Sequence, residues 1–171
     1  MKLIDEIENI NNLIIELEAQ LIKDKFNKDL LIREAFTLWY VLVEGEVCEN
    51  FTDNEIESFL RNNFKIYQSH YSNDSDYTFI VGWMVGITFW YFGSSVKKED
   101  GNQLLLCAYK HNPKNSLFKW SIRNELNLTD NELNNLKIDI VLRFDQLFNY
   151  GTLVKEYFLD IINTPHTGLR I

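Results

Sequence analysis

Apolar side chains recur along most of this 171-residue chain at the three- and four-residue spacings that are typical of amphipathic helices. The N-terminal segment is the most regular, with successive spacings of 4, 3, 4, 3 and 4 residues. This pattern is an a/d heptad seam, which places one narrow apolar stripe along a helix. The seam is short for an isolated coiled coil, so it favours packing on the chain's own domain over a dimer contact. It consists of Leu3, Ile7, Ile10, Ile14, Leu17 and Leu21.

A second amphipathic helix is predicted over residues 29–44, with Gly45 as its C-terminal stop. The tetrapeptide TDNE then occurs twice, at residues 52–55 and 129–132, and an apolar helical pattern follows each copy. In a capping box, the threonine hydroxyl accepts a hydrogen bond from the third helical residue, and the glutamate there accepts one from the threonine N–H. Both copies therefore predict the first turn of a helix.

The longest apolar stretch is YTFIVGWMVGITFWYFG, residues 77–93, which contains no charged side chain. The preceding SNDSD offers N-capping oxygens and Gly93 ends the stretch, so its boundaries predict one buried helix of about 16 residues. A membrane span is one alternative, although it needs about 20 apolar residues. A pair of buried strands is the other, because β-branched and aromatic residues are frequent here. Gly82 and Gly86 would give the helix a flat face that another helix can approach closely.

The second half of the chain also has helical spacing. A helix over residues 102–111 is followed by one that Asn115 or Ser116 caps. The second TDNE opens a long helix that is predicted to run to about Tyr150 and to stop at Gly151.

A last amphipathic run covers residues 153–162, whereas residues 165–171 have no core pattern and are predicted to form a loose tail. No linker, low-complexity segment or repeat divides the chain. We therefore predict one all-α domain over residues 1–171, a bundle of about eight helices around the central apolar helix.

Composition narrows the class of protein. Hydrophobic residues make up 46% and charged residues 25%, as in globular proteins. The first residues include acids and no apolar signal-peptide region, so we expect a cytoplasmic protein without a membrane anchor. The formal net charge of −8 argues against a nucleic-acid ligand, because phosphate binding needs clustered lysine and arginine.

Catalytic and metal-binding signatures are missing from the sequence. The three histidines have no second histidine or cysteine at ligand spacing, and no Walker, GxSxG, HExxH or CxxC motif occurs. Cys107 lies in an apolar segment and is expected to be a small core residue. Cys48 lies between two glutamates, which disfavour its thiolate. We expect a protein that is not an enzyme and binds no cofactor or metal.

Negative charge is concentrated in one window. Residues 34–60 contain seven acids and no lysine or arginine, whereas the other 144 residues carry 18 acids and 17 bases. Solvated acids and helix-dipole complementation account for part of this excess. A surface that attracts a basic partner is the alternative interpretation. The candidate partner-binding residues are Glu44, Glu46, Glu49, Asp53, Glu55 and Glu57, with Phe51 as an apolar anchor or, alternatively, a helix staple.

The small acidic chain without motifs, with its anionic segment VEGEVCENFTDNEIE, resembles the immunity proteins of bacterial toxin–immunity systems, including contact-dependent growth inhibition. The resemblance is one of type and carries over no binding residue. It implies a stoichiometric inhibitor that covers the active site of a cognate toxin domain, often a basic nuclease. The alternative function is a helical adaptor or scaffold, in which case the chain self-associates through residues 3–21; monomer and homodimer both stay open.

Overall fold

The computed structural model describes residues 10–164, and this part of the chain forms nine α-helices and no β-strand. The all-α prediction is confirmed. The helix beyond the expected eight is the four-residue α7. The helices are α1 (Ile10–Lys23), α2 (Lys28–Glu44), α3 (Asp53–Ile66), α4 (Ser75–Thr88), α5 (Lys98–His111), α6 (Ser116–Ser121), α7 (Arg123–Leu126), α8 (Asp130–Leu147) and α9 (Thr152–Asn163).

The predicted helix boundaries are largely those of the structure. Gly45 ends α2 in the left-handed conformation, with φ of 68°, and its N–H donates to the carbonyl of Val41 at 3.0 Å. Both TDNE segments form complete capping boxes, at Thr52 before α3 and at Thr129 before α8. Asn115, the first of the two predicted caps, accepts from two N–H groups of α6.

The central apolar stretch is a buried helix, so the strand-pair alternative is wrong. Asp74 caps α4, which ends four residues earlier than predicted, and Phe89–Phe92 continues as a 3₁₀ turn. The helix ends because the Thr88 backbone leaves the helical region; the Thr88 hydroxyl donates to Met84 O at 3.2 Å and accepts from Trp39 Nε1 at 2.7 Å.

Within residues 10–164, none of the helices combines the length and the apolar character that crossing a bilayer requires. α4 instead packs most extensively against α5, and glycine makes this contact close. A Cβ atom placed on Gly101 of α5 would lie 2.3 Å from the backbone nitrogen of Gly86 and 2.5 Å from its Cα. A Cβ atom on Gly82 would lie 2.9 Å from the backbone nitrogen of Leu105. The prediction is therefore confirmed for Gly82, whereas Gly86 contacts α5 through its backbone and has free space at its Cβ position.

The N-terminal seam packs on the chain itself. Its members on α1 are buried, and α1 lies against α2. Leu3 and Ile7, like residues 165–171, lie outside the described residues. The part of the seam that the structure describes is thus covered by the chain's own core and is not available as a dimer contact. The buried members are Ile10, Ile14, Leu17 and Leu21.

The prediction for the end of α8 is wrong by three residues. The helix ends at Leu147 because Phe148 takes an extended conformation and turns its ring into the core, where it is 1% exposed. Gly151 does not end α8; it precedes α9 with φ of 100°. In the loop between α8 and α9, the Tyr150 hydroxyl donates to Asp76 Oδ2 at 2.6 Å. This hydrogen bond joins the loop to the start of α4.

One acid of the anionic window is buried in a polar network. Glu34 is 6% exposed and accepts from Asn63 Nδ2 at 2.7 Å. Asn63 also donates to the Leu31 carbonyl at 2.8 Å and accepts from the Tyr77 hydroxyl. Burial raises the pKa of Glu34 to about 8, and a hydrogen bond with Glu18 acts in the same direction. Glu34 is therefore largely protonated at neutral pH and belongs to the interior.

We predict that Gly101→Ala destabilises the fold and that Gly86→Ala does not. The alanine methyl at position 101 would overlap backbone atoms that cannot rotate away, at a cost of about 2 kcal/mol or more. A Cβ at Gly86 meets no atom within 4 Å, so this matched variant keeps or gains stability, by up to about 1 kcal/mol from helix propensity. Urea unfolding measures both, and equal midpoints would contradict the close helix contact.

We also predict that Glu34→Gln removes part of the pH dependence of stability. The folded state holds the Glu34 proton more tightly than the unfolded chain, so wild-type stability falls as pH rises from about 4.5 to about 8. A glutamine can accept from Asn63 and donate to Glu18 without ionising. Above pH 8, the variant is expected to be more stable than wild type by on the order of 2–4 kcal/mol.

Denaturation at a series of pH values between 4 and 9 measures this effect, because the difference between variant and wild type isolates position 34 from the other titrating groups. Glu49→Gln, at an exposed position, is the matched control and should run parallel to wild type. A Glu34→Gln curve parallel to wild type would show that Glu34 ionises normally in the folded state.

Candidate functional site

The predicted site residues lie around the C-terminal end of α2, the following loop and the start of α3. We call this region, Glu44 to Glu57, the acidic surface. Four of its six carboxylate side chains are exposed, and Glu46 and Glu57 are half-buried. The exposed ones are Glu44, Glu49, Asp53 and Glu55.

Two of these six acids form an ion pair or hydrogen bonds with other residues of the chain. Glu57 forms an ion pair with Arg61, one helical turn later. Glu55 accepts from the N–H and the hydroxyl of Thr52 at 2.8 Å each, and the backbone hydrogen bond is the main reason why its pKa is lowered. These two residues therefore have structural roles that the capping motif and the four-residue spacing predict.

The other four acids form no ion pair within residues 10–164; they are Glu44, Glu46, Glu49 and Asp53. Three of them share an electrostatic environment. Burial raises the pKa of the Cys48 thiol, and the charges of Asp53 and Glu46 raise it further. Burial also raises the pKa of Tyr40, with contributions from Glu44, Glu46 and Asp160. The Glu46 carboxylate thus acts on both the Cys48 thiol and the Tyr40 hydroxyl.

Asp160 is a further acid that acts on Tyr40, and the sequence did not predict its position near the acidic surface. It projects from α9, a hundred residues after the end of the anionic window, and the fold brings it to the end of α2. Only the tertiary packing of α9 on α2 reveals this proximity, because the charge pattern of α9 has no unusual feature.

Phe51, which was predicted to be an apolar anchor or a helix staple, packs against α3. It is half-buried, and its ring meets Phe59 of α3 edge-on at 5.8 Å between centroids. A hydrophobic staple would pair Phe51 with Ile56, the fourth residue of α3, so the contact with Phe59 does not distinguish the staple from the anchor.

Trp90 is an exposed aromatic residue in a turn that Arg61 links to Glu57 of the acidic surface. It lies in the 3₁₀ turn Phe89–Phe92 and is 53% exposed. The Tyr91 hydroxyl donates to the Leu42 carbonyl at 3.2 Å, and Arg61 Nε donates to the Tyr91 carbonyl at 3.1 Å. These bonds hold the turn between the end of α2 and α3. The apolar pattern placed Trp90 in the buried helix, and only the early end of α4 exposes it.

Two exposed valines add apolar area to the acidic surface. Val47, in the loop between the glutamates, is 85% exposed, and Val43 in the last turn of α2 is 36% exposed. Protein interfaces combine an apolar and aromatic centre with a polar or charged rim. Trp90, Val43 and Val47 together with the unpaired acids have this composition.

The other described residues contain few groupings of side chains that could bind a metal ion or take part in catalysis. No group of three or more His, Cys, Asp or Glu side chains within residues 10–164 could hold a metal ion. Cys48 and Cys107 are both free and half-buried, so the expectation of a core position for Cys107 is wrong. His70 lies in the short π-helical turn Tyr67–Tyr71 and His111 ends α5; His166 is outside the described residues.

A cavity of about 820 Å³ lies between α1, α2 and the loop before α9. Its charged residues are Glu16, Asp29 and Arg33, and its lining contains no histidine, cysteine, serine or lysine. The lining thus provides no histidine-activated nucleophile, which is the arrangement that covalent hydrolysis most often uses.

Comparison of the chain with protein-family models, curated proteins and solved structures finds no match. The candidate site therefore stands on the geometry described above.

We predict that Trp90 accounts for the solvent-accessible tryptophan fluorescence of the protein. The other three tryptophans, Trp39, Trp83 and Trp120, are at most 2% exposed. Trp90→Phe should shift the emission maximum to shorter wavelength and remove most acrylamide quenching, with no loss of folded structure by circular dichroism. Quenching that persists in this variant would show that Trp90 is covered.

Proposed function

We propose that this chain is a cytoplasmic inhibitor of the immunity-protein type, which binds a basic toxin domain at a one-to-one ratio and carries out no catalysis. The toxin class that fits best is a nuclease. The observation that supports this proposal is the set of four carboxylates without internal ion pairs, together with an exposed tryptophan whose turn is hydrogen-bonded to the end of α2.

The electrostatic part of the proposal follows from the chemistry of nucleases. An enzyme that binds nucleic acid displays lysine and arginine around its active site, because the phosphates must be neutralised. A surface with complementary charge attracts that site over several ångströms and raises the association rate, and added salt weakens the attraction. The acidic surface thus competes with the nucleic acid for the same basic residues.

Affinity needs apolar burial in addition to charge. Tryptophan is among the residues that occur most often at interface hot spots, where a few side chains contribute most of the binding free energy. Trp90 can supply this burial, since about half of its surface is accessible and the next residue, Tyr91, is held by two hydrogen bonds. A preorganised anchor loses little conformational entropy on binding.

The adaptor hypothesis gains no support from the fold. It requires an exposed seam on the first helix, and the four seam residues from Ile10 to Leu21 are buried under the chain's own α2.

The test uses the protein encoded by the reading frame next to this chain's gene. We predict that this product arrests growth when expressed alone, that co-expression of the present chain restores growth, and that the two proteins copurify at one to one. The double variant Glu46→Lys and Glu49→Lys should weaken the complex at least about tenfold at low salt, mainly through the association rate. Trp90→Ala should weaken it by a similar factor, mainly through the dissociation rate.

The matched control reverses two exposed acids elsewhere, Glu16→Lys on α1 and Glu125→Lys on α7, with the same change in net charge. It should bind like wild type. Equal weakening by both double variants would mean that net charge alone acts and would remove the acidic surface from the proposal. A neighbouring product that neither arrests growth nor binds would overturn the inhibitor function itself.

A further inference from the structure

The cavity of about 820 Å³ between α1, α2 and the loop before α9 is separate from the acidic surface, because none of residues 44–57 lines it. Its volume lies within the range of sites that hold small molecules, about 300–1,000 Å³. Its lining combines three charged side chains with four aliphatic ones, so it suits a ligand that has both charged and apolar parts. The aliphatic residues are Leu13, Ile15, Leu153 and Val154.

Arg33 is the cation of this cavity, and its guanidinium is available to a ligand. The side chain is half-buried and forms no hydrogen bond or ion pair within residues 10–164. It packs against the loop before α9, where a Cβ atom placed on Gly151 would lie 3.3 Å from Arg33 Nε. The other three arginines of the described chain each donate to an acceptor; they are Arg61, Arg123 and Arg143.

Asp29 lies one helical turn before Arg33 on α2 and lines the same cavity. An acid and an arginine at this four-residue spacing often form an ion pair, as Asp139 and Arg143 do on α8. Asp29 and Arg33 form none, although their Cβ atoms are expected to lie only about 5–6 Å apart. The cavity thus presents a carboxylate and a guanidinium close together, each able to bind a ligand group of opposite charge.

The charges of the lining distinguish between classes of ligand. Asp29 and Glu16 repel a doubly negative group such as phosphate, because Arg33 is the single base that opposes these two acids. A zwitterion matches both signs of charge. Its carboxylate can accept two parallel N–H···O bonds from a guanidinium, and its ammonium group can donate to a carboxylate. In an α-amino acid both groups are attached to one carbon, which suits two side chains one helical turn apart.

We propose that this cavity binds a free α-amino acid with an aliphatic side chain. The carboxylate of the ligand accepts from Arg33 and its ammonium group donates to Asp29. Its side chain packs on the aliphatic residues of the lining, which removes apolar surface from water. The proposal does not rest on the inhibitor function, so either one can fail without the other.

The first experiment titrates L-leucine into the full-length protein and follows the amide NMR signals. We expect saturable shifts at millimolar ligand, concentrated at residues 12–16, 29–37 and 149–154. Two analogues test the two charges separately, because L-leucinamide lacks the carboxylate and 4-methylpentanoate lacks the ammonium group. Each should bind at least about tenfold more weakly than L-leucine.

The analogues also separate this site from general electrostatic attraction. A protein with a net charge of −8 attracts the cationic leucinamide more than it attracts zwitterionic leucine, so a preference for leucine must come from a local cation. The absence of shifts with both L-leucine and L-valine would overturn the proposal. Equal binding of leucinamide, or tighter binding of inorganic phosphate at the same residues, would also overturn it.

Variants assign the two contacts. Arg33→Gln should weaken L-leucine binding at least about tenfold and leave leucinamide binding unchanged, because leucinamide lacks the carboxylate that Arg33 binds. Asp29→Asn should weaken L-leucine binding several-fold without weakening the binding of 4-methylpentanoate. Arg143→Gln removes the same charge from an exposed position of α8 outside the cavity, and it should bind L-leucine like wild type.

Circular dichroism shows whether each variant is folded. Equal weakening of leucine and leucinamide by a folded Arg33→Gln variant would show that Arg33 does not bind the carboxylate, and it would overturn the site. The comparison of leucine with its analogues uses the wild-type protein, so it decides the proposal even where a variant fails to fold.

Discussion

The bundle depends on the close approach of α4 and α5, which glycine makes possible on both sides. Gly101 lies against the backbone of Gly86, and Gly82 lies against Leu105, so the two helices meet at distances that no side chain would allow. Helices in water gain stability mainly by burying apolar faces. An apolar helix without a polar face must be covered all round, and α5 covers one side while α2 and the C-terminal helices cover others.

Local signals in the sequence predicted most of the helix boundaries. Where those signals were insufficient, long-range packing determines the residue at which a helix ends. Caps and stops such as Thr52, Gly45 and Thr129 act within one turn, so their effect can be deduced from a few neighbouring residues. The ends of α4 and α8 were misplaced because they depend on distant partners. Thr88 leaves the helix where Trp39 bonds its hydroxyl, and Phe148 turns into a core that helices from the whole chain form.

The candidate site was only partly predictable for the same reason. The excess of acids in residues 34–60 is evident in the sequence, but the sequence alone could not show which of these acids have structural roles within the fold. Glu34 is buried and largely protonated, Glu55 caps a helix and Glu57 pairs with Arg61. Trp90 and Asp160 reach the surface through the end of α4 and the packing of α9, two features that no local pattern encodes.

The remaining acids are difficult to explain by stability. The last turn of α2 contains Glu44 and no basic residue, although the negative end of the helix dipole favours a cation there. Glu46 follows next to it, and Asp160 approaches from α9. Like charges placed together at the unfavourable end of a helix reduce stability, and no lysine or arginine within the described chain offsets them. The proposed basic partner would neutralise these charges on binding, which the ion pairs of the described chain do not.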